Sequence, residues 1–510
     1  MTTDIIVVGA GSAGCAIAAR LAERGHTVLL IEAGGEDRRL LLQIPAAFSK
    51  LFRTPVDWAW ETVPQPALDN RRLFWPRGKV LGGTSSINAM LYTEGHPADY
   101  DGWAALGNPG WAWAYVEPVF RRLPLRIEPQ ISPNPISLAF LDALQDEGIP
   151  LERRLSGPRG KECGLFRTTM HQGRRWSASR AYLQGNMPPG LTLRLDTLVR
   201  RVVVEEGRAT GVEVVTEGEV STLQARGAVI LAGGAINSPQ LLLLSGIGPG
   251  EELREMGIPV RSDVPGVGRN LQDHLSVGIS WKATRKVTLD GADTFLNLLR
   301  WLLFRRGPLT SPVAEAAAFL PDDGSPDPRP MLELILGPVW FANHGFDRRP
   351  GSHYTMGAVL LHPESRGRIT LASPDPLAAP HIDPACLTAA CDAERLLAGL
   401  RRIRHIGAHK SFAPWRGNEV FPGPGATTDE DLLNHLRAHA QSLYHPVGSC
   451  RMGPASDPMA VVDPELRVRG VERLYVADAS IMPEIPSAHT NAPAMMIGER
   501  GAEFVDGHLK

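Results

Sequence analysis

An α/β fold with a doubly wound parallel sheet is the class this sequence predicts, on three observations. The chain opens with an apolar run, a glycine-rich turn, a helix of small residues and a second apolar run ending in an acid. Far along the chain, "AVILAGGAINSP" (228–239) and "RLYVADASIMP" (473–483) again run from apolar residues into small-residue turns. The 510 residues exceed one simple core, so two domains or one large elaborated domain are expected.

The N-terminal elements follow in order. Ile5–Val8 reads as a buried strand, and Gly9, Gly11 and Gly14, with Ser12 and Ala13 between them, form G-x-G-x-x-G. Cys15–Arg24 reads as a helix, and Thr27–Ile31 as a strand ending at Glu32 and Ala33. Gly9 allows the tight turn, Gly11 lets the backbone approach a pyrophosphate, and Gly14 lets helix and strand pack closely. The helix N-terminus offers free N–H groups and positive dipole to phosphates, and Glu32 is placed to accept from ribose hydroxyls. The pattern indicates a dinucleotide and leaves NAD and FAD both open.

Composition narrows the class. Apolar residues make up 43% and charged residues 21%, as in an ordinary globular protein, and the net charge of −2 gives no nucleic-acid footprint. The 52 glycines and 43 prolines imply many turns and long connections. Five cysteines form no C-x-x-C pair, so a reducing, cytoplasmic setting is expected rather than a disulfide framework. No secretory leader and no transmembrane run is expected. "TFLNLLRWLLFRR" (294–306) is amphipathic with a basic end, and reads as a helix lining a substrate domain, with weak peripheral membrane contact as the alternative.

Other stretches carry chemistry. "RLFWPRGKVLGGTSSINAMLYTEGHPADYDGW" (72–103) holds Gly82, Gly83 and a dense set of small polar residues, suited to wrapping a flat polar ring. "LTLRLDTLVRRVVVEEGRATGVEVV" (191–215) alternates like two strands turning at Glu206–Gly207. The closing "IPSAHTNAPAMMIGERGAE" (485–503) sets His489, Thr490 and Asn491 ahead of a helix expected from about Ala492 to Val505.

The 72–103 segment strongly resembles the first signature of the glucose–methanol–choline (GMC) oxidoreductases. "GGAINSPQLLLLSGIGP" (233–249) is similar to their second signature, and "GVGRNLQDHL" (266–275), "HPVGSCRMG" (445–453) and "LRVRGVERLYVADASIMP" (466–483) resemble further family blocks in order. The resemblance implies FAD and no metal. It also implies a discontinuous Rossmann-type FAD domain (1–155, 190–280 and 455–510) and a substrate domain with antiparallel sheet and helices (156–189 and 281–454), His445 lying at the junction. By the same resemblance Asn88, Met90, Val199, Ala232, Asp478 and Ala479 lie along the cofactor. Ile87 stands where some relatives carry a flavin-linking histidine, so FAD is expected to be non-covalent.

The implied reaction is oxidation of a primary alcohol to the aldehyde, with a base for the hydroxyl proton and hydride passing to flavin N5. His445 matches the family's catalytic histidine. His489 matches a second position, eleven residues before Arg500, that holds His or Asn in relatives; a histidine suits proton transfer near neutral pH. Thr490 and Asn491 are expected to cap the last helix and serve the cofactor. Glu315 and Glu333 are candidates to meet a cationic substrate. The electron acceptor, O2 or a quinone or dye, is left open. The alternatives are a lyase of hydroxynitrile type or a fatty acid photodecarboxylase, neither with net redox turnover of alcohols.

Overall fold

The computed structural model describes residues 2–185, 187–322 and 324–510. Its first sheet grows from the N-terminal unit. β1 (Thr2–Val8) lies between β2 (Val28–Ile31) and the second half of β3 (Glu219–Leu231), parallel to both. Leu191–Arg194 adds beyond β2 and Leu474–Val476 beyond β3, again parallel. Ile5, Ile6 and Val7 are fully buried, as a strand covered on both faces requires. α1 (Ser12–Glu23) packs against the final helix of the chain on one side of this sheet.

The first half of β3 pairs antiparallel with Arg208–Thr216, which pairs with Thr197–Glu205. Their turn is Glu206–Gly207, both at positive φ (49° and 75°), the two-residue geometry that matches strand twist.

The second sheet is antiparallel. β4 (Leu275–Ala283) lies between Arg416–Phe421 and His353–Leu360, and the order continues through Leu332–Gly337 and Ala316–Leu320 to Glu162–Leu165. Helices Ala390–Gly407 and Pro135–Asp146 cover it, and Ile279, Met356, Leu400 and Phe140 share one apolar core. Three bounds of the sequence reading therefore move. β4 begins at Leu275, inside the stretch given to the FAD unit, and Pro135–Asp146 packs on the second sheet although it falls within 1–155. Conversely Ala178–Tyr182, inside 156–189, packs on α1. The local pattern names strands and helices but not the sheet that takes up their apolar faces.

α2 (Phe295–Phe304) begins at Thr294, whose Oγ1 accepts from the Asn297 N–H (3.2 Å). Instead of lining the substrate domain's interior it turns only Trp301 inward. Phe295, Leu296, Leu303 and Phe304 are 64–76% exposed. No helix among the described residues is long and apolar enough to cross a membrane.

Candidate active site

Residues from both sheets line one cavity of about 1080 Å3. Of the seventeen positions expected to hold cofactor, all but Gly14 and Gly82 line it. Those two serve by packing. A Cβ on Gly14 would fall 1.8 Å from the Gly9 carbonyl oxygen, and one on Gly82 2.3 Å from Ser86 Oγ. Gly11 differs: its Cβ would meet nothing within 4 Å, so backbone there borders open cavity.

Two helix N-termini reach this space. α1 has no side-chain cap, so its first-turn N–H groups have no partner of that kind. α3 (Asn491–Leu509) likewise has no side-chain cap, which corrects the capping role expected of Thr490 and Asn491. Asn491 turns aside because its Oδ1 accepts from the Ser12 hydroxyl (2.7 Å), tying the two helix starts together. Thr490 contributes only its carbonyl, which accepts from the Ala494 N–H (3.0 Å).

Glu32 accepts from the Ala10 and Gly34 N–H groups (3.0 and 2.9 Å) and borders the cavity; burial pushes its carboxyl up to about 7. Asp478 accepts from Gly234 N–H, Ser238 Oγ–H and Ser480 N–H (2.8, 2.6 and 2.8 Å). Its carboxylate thus fastens the turn after β3 to the turn after Leu474–Val476. Asn88 Oδ1 accepts from Met90 N–H (3.0 Å) and from Arg175 Nη1–H (2.7 Å). Arg175, missed in the sequence, is 2% exposed, and its Nη2 has no hydrogen-bond partner among the described residues. Burial, the largest cause, lowers its guanidinium to about 9, with Arg180 nearby acting the same way. "GRR" at 173–175 gave no local sign of it.

The two predicted histidines come together on the cavity wall, ring centroids 5.0 Å apart and planes at 86°. Gln272 and Val447 exchange backbone hydrogen bonds (3.1 and 2.9 Å), Leu443 N–H donates to the His274 carbonyl (2.8 Å), and Gln441–Ser442 pairs with the start of β4. Asp273 then accepts from the His445 N–H (2.7 Å) and from the Ser442 hydroxyl. Tyr444, at φ 70°, takes the left-handed turn that aims the next side chain. Burial, His489, His274 and Arg77, in that order, hold the His445 ring well below the usual histidine range, so it is neutral near pH 7.

His489 is fixed from the other side. Its N–H donates to Thr93 Oγ1 (2.7 Å), Phe166 meets its ring edge-on (centroids 5.3 Å apart), and Nε2 lies 3.2 Å from Glu333 Oε1. Glu333 therefore stands behind His489 and outside the cavity lining, which corrects its expected contact with a cationic substrate. Glu315 is also outside the lining. Ser311 Oγ–H, Ser137 Oγ–H and the Asn134 N–H donate to it at 2.7–2.8 Å, so it braces the second sheet against Pro135–Asp146.

FAD fits these residues on three counts: open backbone at Gly11, two helix starts without side-chain caps, and a buried acid at the end of β2. Parallel sheet, dinucleotide cradle and paired cavity histidines define a two-domain flavin-dependent oxidoreductase. Two family models described as GMC oxidoreductase match residues 3–276 and 363–498. The chain belongs to the GMC oxidoreductase family, and it is an FAD-dependent alcohol oxidoreductase. It is 39% identical to the oxygen-dependent choline dehydrogenase of Rhizobium rhizogenes, over 99% of this chain and 96% of that protein. It is 38% identical to an alcohol dehydrogenase [acceptor] of Pseudomonas putida, over 98% and 95%. Among solved structures, pyridoxine 4-oxidase from Mesorbium loti superposes with a TM-score of 0.89 at 31% identity, covering 98% of each chain. A fungal aryl-alcohol oxidase gives 0.84 at 26%, covering 99% of this chain and 98% of that one.

Proposed function

We propose that the protein oxidises a neutral primary alcohol with an apolar or aromatic body to the aldehyde, with His445 as base and His489 as the second polar group. The observation that carries this is the pair of perpendicular rings on the cavity wall, 5.0 Å apart, one of them held neutral. When bound, FAD supplies the acceptor for the carbon-bound hydrogen and its electron pair. His445 Nε2 makes no hydrogen bond among the described residues and takes the hydroxyl proton, while His489 steadies the oxygen as charge develops there. Phe48, Leu91, Ile335, Val339, Trp340 and Phe341 line the cavity and suit an apolar body. Neither Glu315 nor Glu333 reaches the lining, where Arg71, Arg77 and Lys79 stand beside Asp196, Glu217 and Asp347, so the apolar side chains rather than the charges carry the preference.

The α1 and α3 N-termini, Gly11, Glu32, Gly83, Asn88 and Ile87 would hold the cofactor, and Ile87 has no group for a covalent link, so FAD is held non-covalently. The reoxidant is O2 or a quinone-like acceptor. All five cysteines are free, in keeping with the cytoplasmic reading. α2 suits peripheral membrane contact, since its exposed apolar face adjoins the basic Arg300 and Arg306.

One experiment tests the core of this reading: anaerobic mixing with a panel of benzyl, furfuryl and aliphatic primary alcohols and choline, followed by flavin absorbance. Bleaching by neutral alcohols supports it; no bleaching by any alcohol overturns it. Peroxide detection beside a dye acceptor then separates oxidase from dehydrogenase.

A further inference from the structure

The environment of His445 decides more than its charge. Its Nδ1 lies 2.9 Å from His274 Nδ1, with the rings perpendicular (86°) and their centroids 5.1 Å apart. The other nitrogen of His274, Nε2, lies 3.0 Å from the Leu361 carbonyl oxygen. His274 is fully buried. The Pro486 carbonyl also bears on the ring, but among the described residues the carbonyl with hydrogen-bond geometry is that of Leu361, on Nε2; a carbonyl oxygen only accepts, so His274 Nε2 carries a proton. In a neutral ring with Nε2–H, Nδ1 holds a lone pair and accepts. The proton in the Nδ1–Nδ1 contact therefore belongs to His445, and a neutral His445 with Nδ1–H has its lone pair on Nε2.

We propose that His274 is a positioning residue: anchored on the Leu361 carbonyl, it holds His445 in the one tautomer whose Nε2 can take the substrate proton. This rests on reading His445 as the base. The chain of contacts runs carbonyl to His274 to His445 to substrate, and each link fixes the direction of the next. Asp273, one residue earlier, fastens the backbone N–H of the same histidine (2.7 Å). Adjacent residues thus fix both the position and the protonation of the ring. The signal was present in the sequence as "QDHL" (272–275), ahead of a strand and without an assigned task. Burial keeps His274 neutral, at about 3, so the direction persists through the working pH range. The other charged or titratable groups bearing on the two rings are His489, Arg77 and His362, besides Asp273.

The experiment compares holoenzyme carrying His274→Leu, which offers no acceptor, with His274→Gln, whose carboxamide oxygen accepts from Nδ1–H. His445→Gln is the reference. Three readouts are taken: the limiting rate of anaerobic flavin reduction with benzyl alcohol or whichever panel alcohol bleaches fastest, the apparent Kd from its concentration dependence, and imidazole 15N NMR of His445. Loss of the acceptor frees the ring to place its proton on either nitrogen. The expected result for His274→Leu is at least a tenfold slower limiting rate with Kd within threefold and FAD content retained. His274→Gln should recover to within threefold of wild type. In wild type, Nδ1 of His445 should give the protonated signal and Nε2 the unprotonated one, with the two averaged or mixed in His274→Leu.

Wild-type His445 carrying its proton on Nε2 overturns the proposal, even if His274→Leu fails to fold. So does a His274→Leu enzyme that reduces its flavin at the wild-type rate, or equal slowing in Leu and Gln with equal loss of FAD. If His445→Gln itself reduces flavin normally, the underlying assignment of the base fails instead.

Discussion

Two glycines three residues apart, Gly11 and Gly14, make the sharpest test of the cofactor cradle. Alanine at Gly14 would put a methyl 1.8 Å from the Gly9 carbonyl oxygen, and at Gly11 it would meet no protein atom within 4 Å. The first cannot be relieved by a rotamer, because both partners are backbone in the βαβ turn. Its cost lies at or above the upper end of ordinary overpacking, about 3 kcal/mol. A chain of this size has an unfolding entropy of roughly 1 kcal/mol per kelvin near its melting temperature, so Tm falls by about 3 °C or more. Gly11 already sits at φ −79° and ψ −162°, an extended conformation open to any residue. Alanine there reduces the freedom of the unfolded chain and changes apoprotein stability by about 1 kcal/mol at most, in the stabilising direction. The methyl would, however, occupy the space a pyrophosphate needs, and FAD affinity should fall at least tenfold. Differential scanning calorimetry of apoprotein and holoprotein, with FAD titration followed by fluorescence, separates the two effects. A Gly11→Ala protein that binds FAD as tightly as wild type would refute the placement of the phosphates.

Four further outcomes are expected. His445→Gln should slow flavin reduction by about 10²–10⁴-fold with FAD retained, the usual worth of a positioned base, as measured by anaerobic stopped flow. Because burial and neighbouring His489, His274 and Arg77 hold His445 below its ordinary value, protonation should suppress reduction only below about pH 6.5; a rate that rises through pH 8 would contradict this. Asp99, 1% exposed and pushed up to about 7 by burial, favours the folded state when protonated. That contribution is full below its ordinary value near 3.8 and is lost as pH rises through about 7. Asp99→Asn should flatten the fall in thermal stability between pH 5 and 8. For α2, wild-type protein should sediment with vesicles containing anionic lipid, and Phe295→Glu with Leu303→Glu should abolish it; no sedimentation even at low salt would remove membrane contact from the reading.

Much of the first sheet was legible because its signals are local. The 3.6-residue and continuous-strand patterns of residues 4–33, the turn at Glu206–Gly207 and the strand before Asp478 each state their own geometry. Helix α3 was placed within a few residues at each end. The substrate side was less legible. Glu315, an acid in a small apolar run, reads alike whether it faces a substrate or braces a helix, and Ser137 and Ser311, which decide the matter, lie 178 and 4 residues away. Exposed Phe295 and Leu296 are similarly indistinguishable from buried ones until the surrounding surface is known.

By itself the sequence determined the dinucleotide cradle, because glycine spacing and local periodicity act over a few residues, and its family pattern singled out the two cavity histidines by resemblance. The tertiary structure alone decided which carboxylates stay away from the cavity, that Asn491 binds Ser12 across 479 residues rather than capping its helix, and that His274 meets His445 across 171. Those outcomes depend on hydrogen-bond direction between groups distant in the chain, and direction exists only once the backbone has brought the partners within about 3 Å.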